Sequence, residues 1–359
     1  MVAGIAGKGS GRQWSCGKEP GKESFKAATL NILSPVLLSK HPEIYSPLDL
    51  KAGSEWESRR RRCVEELRSY EAEVVCLQEL EAGDAVPFAK GLDLELATFA
   101  ACGGESRTDG CAIYFDKQRF AVAQAEALVL DAGASKVNAA AVAVLDLVGE
   151  RDSLVVATAH LLFNPKRGDL RLRQAQSLTE VVAALARDHA DRRSRRVGTM
   201  VLGDLNSTPE SSVYEFLANG RVSRHRDKKK QPFIRGEHPH VPGLGHGGHG
   251  TSLLGPPPPD KQLDKGDCLA NAIDDLASAY AQPHPRLPPG CPGEPPFTTY
   301  INKGTKGTVD YLFFGTRHLK LQRRLHPPGV LHLRRGLRAN VSDHVALVAA
   351  FRFASATFR

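Results

Sequence analysis

Six short stretches put acids, amides and histidines where apolar runs end. Asn31 lies in ATLNILS, Gln78 and Glu79 in VVCLQELE, and His160 in VVATAHLLFNPKRGD. Asp204 and Asn206 lie in VLGDLNSTPE, Asp310 in GTVDYLFF, and Asp343 with His344 in VSDHVALVAAF. Each alone has an ordinary explanation. An acid ending a strand is usually a solvated edge, a lone strand histidine a satisfied core residue, and Asp and Asn tolerate turn geometry. Asp310, between Val309 and Tyr311, is harder to dismiss, because an unpaired buried carboxylate is costly. Together the types suit one chemistry. Glu79 with an amide such as Asn31 offers oxygen ligands to a hard cation such as Mg²⁺, leaving coordination positions for water and phosphate. Asp204 is suited to take a proton from an attacking water that Asn206 orients. Asp310 with His344 could hold an imidazolium against a phosphate oxygen. Zinc fits less well, since no two of these histidines have ligand spacing and no cysteine accompanies them. A serine triad lacks a nucleophile elbow.

The elements that must position these residues are mostly strands. Apolar or alternating runs occur at Lys26–Leu33, Val74–Leu80, Gly110–Phe115, Ala140–Leu147, Leu154–Leu162, Val197–Leu202, Thr308–Phe314 and Val345–Phe353. Helical faces are formed by Trp56, Cys63, Val64, Leu67 and Tyr70, and by Leu172, Ala175, Leu178, Val182 and Leu185. Thr208 and Pro209 read as the cap and first residue of a further helix. Strict βαβ alternation is absent, which favours two packed sheets with helices outside.

At 359 residues, with 41% apolar and 25% charged residues, the chain can bury a large core. Its net charge of +8 gathers in Arg59–Arg62, Arg192–Arg196, Arg224–Lys230 and Arg323–Arg338, which favours polyanionic partners. Seven cysteines without a Cys-x-x-Cys pair argue against a disulfide framework or zinc knuckle and fit a reducing compartment, cytoplasmic or nuclear. No apolar run approaches the roughly eighteen residues needed to span a bilayer. Residues 1–24, which have no apolar signal-like core, are expected to be a disordered segment before a single domain at 25–359, and a longer natural N-terminus stays open. Residues 223–296, rich in Pro, Gly and His, read as a flexible insertion, with a short helix near Asp267–Tyr280. His246 and His249 within it could bind metal, although low complexity is the simpler reading.

In order, TLNILS, CLQELE, HLLFNP, GDLNSTP, TVDYLFF and SDHVAL resemble the signature blocks of the endonuclease/exonuclease/phosphatase superfamily, the DNase-I-like fold. WESRRRRCVEELRSYEAEVVCLQELE, RTDGCAIYFDKQRF and ATAHLLFNPKRGDLRLRQAQ narrow the likeness to the deadenylase branch that includes nocturnin, and HLLFNPKRGD and TVDYLFF most resemble its Angel proteins. The resemblance implies an α/β, four-layer αββα sandwich of two mixed sheets flanked by helices. It implies Mg²⁺, with Mn²⁺ as a substitute, held chiefly by Glu79 with Asn31 and Asp343 close by. It assigns catalysis to Asp204, Asn206, His344, Asp310 and His160, and substrate-channel positions to Asn164 and Asp169. The expected activity is a phosphoesterase on RNA 3′ ends, either a 2′,3′-cyclic phosphatase or a deadenylase. The implied protein is a monomer free of the membrane, with RNA and proteins of RNA-processing complexes as partners. The alternatives are a lipid or inositol phosphate substrate, or binding without turnover. The insertion and the AGDAV segment after QELE depart from the family pattern, which leaves substrate choice open.

Overall fold

Alternating and continuous apolar runs become strands, and the periodic segments become helices laid over them. The computed structural model describes residues 12–15, 21, 23–103, 107–130, 137–164, 166–223, 268–281, 294–301 and 305–355. Its strands are β1 (Ser24–Asn31), β2 (Val74–Glu81), β3 (Glu95–Ala101), β4 (Asp109–Phe115), β5 (Phe120–Leu130), β6 (Asn138–Leu147), β7 (Asp152–His160) and β8 (Arg196–Asp204). They continue with β9 (Arg221–Ser223), β10 (Cys268–Ala270), β11 (Leu276–Ser278), β12 (Thr299–Ile301), β13 (Thr305–Gly307), β14 (Asp310–Gly315), β15 (Leu319–Arg324) and β16 (Leu347–Phe353). Six helices matter here: α1 (Pro35–Lys40), α2 (Pro47–Ser54), α3 (Trp56–Ser69), α4 (Ala85–Leu92), α5 (Gly168–Arg193) and α6 (Ser212–Ala218).

Two six-stranded mixed sheets result, ordered β15-β16-β1-β2-β4-β3 and β11-β14-β8-β7-β6-β5. β1 and β2 run parallel in one, β7 and β8 in the other. The inner faces meet through Phe25, Ile113 and Phe351 from the first sheet and Val156, Leu202 and Leu312 from the second. On the outside, α3 and α4 cover the first sheet with Cys63, Leu67 and Phe88. α5 and α6 cover the second with Leu172, Ala175, Leu178, Val182 and Phe216. Burying one such side chain is worth about 1.5–3 kcal/mol, so both helix layers are held by their apolar stripes. This is the expected αββα sandwich.

Four local expectations need correction. The segment around Asp267–Tyr280 is not helical. It supplies β10 and then β11, where Leu276 and Ser278 register with Gly315 and Phe313 at a sheet edge that would otherwise stand unpaired. The helix after GDLN starts at Ser212, capped by Ser211, whose hydroxyl accepts the Tyr214 N–H; Thr208 and Pro209 stay in the preceding turn. β3, β5 and β15 are strands that the pattern does not announce, because β5 is largely exposed and alanine-rich and β15 carries Lys320, Gln322 and Arg323. Finally, Arg12–Ser15, within the 1–24 segment expected to be disordered, packs against the domain. Trp14 bridges to Leu325, and Arg12 is buried, donating to the Tyr70 hydroxyl and the Ala346 carbonyl. Residues 224–267 and 282–293 of the 223–296 insertion, with His246 and His249, lie outside the described residues. Among the described residues no helix is long and apolar enough to cross a membrane.

Candidate active site

Register alone assembles half of the site. His160 ends β7 beside Asp204 at the end of β8, and Asp310, opening β14, registers opposite Asp204. Residues directly opposed across neighbouring strands share a face, here the inner one, since Val156, Leu202 and Leu312 of the same strands lie in the inter-sheet core. GDLN needs its glycine. Gly203 has φ +129°, and a side chain there would run into the Ala159 carbonyl. After Asp204 the chain turns through Asn206 in the left-handed region, φ +46°, which asparagine tolerates.

The first sheet supplies the rest. Asn31 ends β1. The β2–β4 register slips between Leu77 and Leu80, and Glu79 has φ +56°. This bulge re-aims Glu79 into the cleft after Gln78, which already points inward to the hydroxyls of Thr29 and Thr158. Asp343 and His344 come from the loop before β16, which returns antiparallel to β1.

Asn31 Nδ2 donates to Glu79 Oε1 at 2.9 Å and to Asp204 Oδ2 at 3.1 Å, tying the two sheets together. The Ser34 N–H donates to Glu79 Oε2 at 3.0 Å. Asp204 Oδ1 accepts the Asn206 N–H at 2.9 Å, while its Oδ2 lies 3.6 Å from His160 Nε2 and 3.8 Å from His344 Nε2. His344 Nδ1 bonds Asp310 Oδ2 at 2.8 Å. Asn206 Nδ2 is spent on the Leu161 carbonyl, leaving its Oδ1 buried without a hydrogen-bond partner among the described residues, as is Asp310 Oδ1. Both are acceptors facing a polar site. Tyr45 donates to Asp343 Oδ2 at 2.9 Å, and the Ser342 hydroxyl binds the Asn31 carbonyl at 2.7 Å.

Electrostatics separates the roles. Burial pushes Glu79 from 4.5 up to about 7, only partly countered by the Asn31 hydrogen bond, with Asp109 and Asp343 adding to the rise. Asp204 is likewise raised, by burial and then by Asp310. His160 is lowered by burial, so its imidazole is neutral near pH 7. Burial would lower His344 too, but Asp310, Asp204 and Asp343 outweigh it and hold it well above its ordinary value, as a cation.

Four carboxyls therefore converge around one cationic imidazole, an excess of negative charge that a divalent cation fits. Asp204, Asp310 and His344 bring ligand atoms within 4.8 Å of one another. His344 is a poor ligand there, because its protonated ring offers no lone pair. Glu79 with Asp343 is the better oxygen pair for a hard ion. Asn31 Oδ1 accepts the Leu33 N–H at 3.0 Å, and its amide NH₂ faces Glu79 and Asp204.

Asn164 and Asp169 are not brought into this cluster. Asn164 is exposed and accepts the Lys166 N–H, and Asp169 is clasped by Arg167 at the start of α5. Tyr45, Ser34 and buried Arg59 were not legible as site residues. Arg59 donates to the carbonyls of Ile32, Leu33 and Val341, fixing the loops beside Asn31 and Asp343 from behind. Only the arginine run WESRRRR hinted at it, and that run reads equally as a solvated helix face.

The Endonuclease/Exonuclease/phosphatase family model matches residues 28–344. Carbon catabolite repressor protein 4 homolog 5 of Arabidopsis thaliana is 29% identical, over 90% of this chain and 76% of that protein. Protein angel of Drosophila melanogaster is 32% identical, over 57% of this chain and 60% of that protein. Among solved structures, ANGEL2, a 2′,3′-cyclic phosphatase, in complex with adenosine-2′,3′-vanadate, superposes with a TM-score of 0.74 at 26% identity, covering 95% of this chain and 98% of that one. The human Nocturnin catalytic domain shares the fold, with a TM-score of 0.62 at 20% identity, over 96% of this chain and 98% of that one.

Proposed function

The chain belongs to the Endonuclease/Exonuclease/phosphatase family and is a phosphoric-ester hydrolase, and we propose that it acts on RNA 3′ ends as a Mg²⁺-dependent 2′,3′-cyclic phosphatase. The observation that carries this reading is the aligned row His160–Asp204–Asp310 facing Asn31 and Glu79 across the cleft. The likeness to ANGEL2 over nearly the whole of both chains supplies the substrate class. The basic surface suits a polyanion.

In the hydrolysis, water forms a new bond to phosphorus as the bond to one ribose oxygen breaks. Asp204 takes the water proton on Oδ2, and the departing ribose oxygen gains one from the medium. Asn206 Oδ1, buried with no hydrogen-bond partner among the described residues, is placed to accept the water's other hydrogen. His344, kept cationic by Asp310, offsets the charge growing on the phosphate oxygens, and neutral His160 donates to the same group. A divalent cation at Glu79 and Asp343 would supply further charge neutralisation at the phosphate.

A second reading, 3′ exoribonuclease, is supported by the repressor protein 4 relatives. One of them is the CCR4-Not 3′-5′-exoribonuclease subunit Ccr4 of Saccharomyces cerevisiae, 23% identical over 90% of this chain. Two short RNAs with Mg²⁺ separate the readings, one ending in a 2′,3′-cyclic phosphate, the other in a 3′-hydroxyl oligo(A). Loss of the cyclic end without shortening is expected. Stepwise shortening favours the second reading, and neither reaction removes both.

A further inference from the structure

Beside the acids just described, RTDG leads into β4 at Asp109 and brings a basic residue, Arg107, and an acidic one, Asp109, with no part in the chemistry so far. β4 alternates, and Cys111, Ile113 and Phe115 lie in the inter-sheet core. Asp109 shares their parity and opens onto the cleft at the end where Glu79 sits. Its partner is Arg107, whose Nε and Nη2 grip the two Asp109 oxygens at 2.9 and 2.5 Å. The pair is mostly enclosed, with 14% of the Arg107 side chain and 2% of that of Asp109 exposed.

Contacts lead from this pair to the acids. Thr108 donates to Glu81, the Ser34 hydroxyl donates to the other Glu81 oxygen, and the Ser34 N–H holds Glu79. The neighbouring groups feel the pair as well, since Arg107 and Asp109 act on His160 with opposite sign. A fork locked in place by a carboxylate, with its third nitrogen, Nη1, lacking a hydrogen-bond partner among the described residues, is arranged to receive an anion. Asp109 neutralises the charge at rest, so the residue costs little to keep enclosed. The phosphate would accept from the nitrogen that Asp109 leaves over.

We propose that Arg107 is a phosphate-binding residue on the wall of the cleft, positioned by Asp109 and gripping a non-bridging oxygen of the bound phosphate. This rests on the phosphoester reading above. The alternative is that the pair only clasps the start of β4.

The test is inorganic phosphate binding by titration calorimetry with Mg²⁺ present, on wild type and Arg107→Met. The double variant Arg107→Met/Asp109→Asn leaves no orphaned carboxylate should the single one fold poorly. Loss of one charge-assisted contact predicts roughly tenfold or more weaker phosphate binding. The logarithmic salt dependence of short-RNA binding should become shallower by about 0.7, one phosphate contact on a single strand. A clasp would lower the melting temperature and move neither quantity. Phosphate affinity and salt slope equal to wild type in any folded variant overturn the inference. The cyclic-phosphate RNA is run in parallel. If wild type leaves that RNA untouched while phosphate binding depends on Arg107, the contact stands and the RNA reading falls. If all the proteins process it alike with equal phosphate affinity, the contact falls and the reading stands.

Discussion

Glu79 makes the cation-free protein less stable as pH rises. Its carboxyl is carried by burial from 4.5 to about 7. A carboxyl bound more tightly to its proton in the native state favours folding at low pH, and that advantage disappears between the unfolded and folded values. The slope is negative from about pH 4.5 to 7 and flat beyond, and the full swing is about 3 kcal/mol. Other groups titrate over the same range. His344, raised, weakens stability as pH climbs above its ordinary value, and His160, lowered, strengthens it as pH climbs towards that value. The difference between wild type and Glu79→Gln removes these shared contributions. Glutamine cannot reproduce both acceptor bonds, from Asn31 and Ser34, so a constant offset of about 1–2 kcal/mol is expected. Urea unfolding in chelator at pH 5 and pH 8 is the assay. The gap should move by about 2–3 kcal/mol in favour of the variant on going to pH 8, slightly less than the full swing because pH 5 already lies within the window, and saturating Mg²⁺ should reverse this for wild type alone. A gap identical at the two pH values would refute the burial argument, and a Mg²⁺ effect of equal size in both proteins would refute the assignment of Glu79 to the cation.

Asp204→Asn should lower turnover roughly 10³-fold or more with little change in the far-UV spectrum, measured on whichever RNA end proves to be the substrate. Asp310→Asn takes away the counter-charge that holds His344 protonated, so the alkaline limb of the pH–rate profile should move to lower pH, the direction in which an unsupported imidazole loses its proton. Chelation should abolish turnover and Mg²⁺ or Mn²⁺ should restore it, with cation affinity falling about tenfold per pH unit below about pH 7 as protons compete for Glu79. Gly203→Ala should destabilise by about 1–3 kcal/mol in chemical denaturation, because φ +129° suits only glycine.

By itself, the sequence determined the strands that carry the chemistry. Their apolar cores left Asn31, Glu79, His160, Asp204, Asp310 and His344 exposed as exceptions at strand ends, and an exception in an apolar run is visible without coordinates. It also determined the existence of the two outer helices, through the apolar faces running from Trp56 to Tyr70 and from Leu172 to Leu185. Edge elements such as β5 and β11 escaped, because an exposed or very short strand has no buried face to impose alternation. Only the tertiary structure decided which residues act together. The Glu79 bulge depends on a register slip against β4, and Asn31 turns its amide nitrogen inward because a neighbouring backbone N–H claims its oxygen. Arg59 and Tyr45 are ordinary surface-type residues in one dimension. Their roles come from partners tens to hundreds of positions away, as Tyr45 does from Asp343, and such distant pairing leaves no local pattern to read.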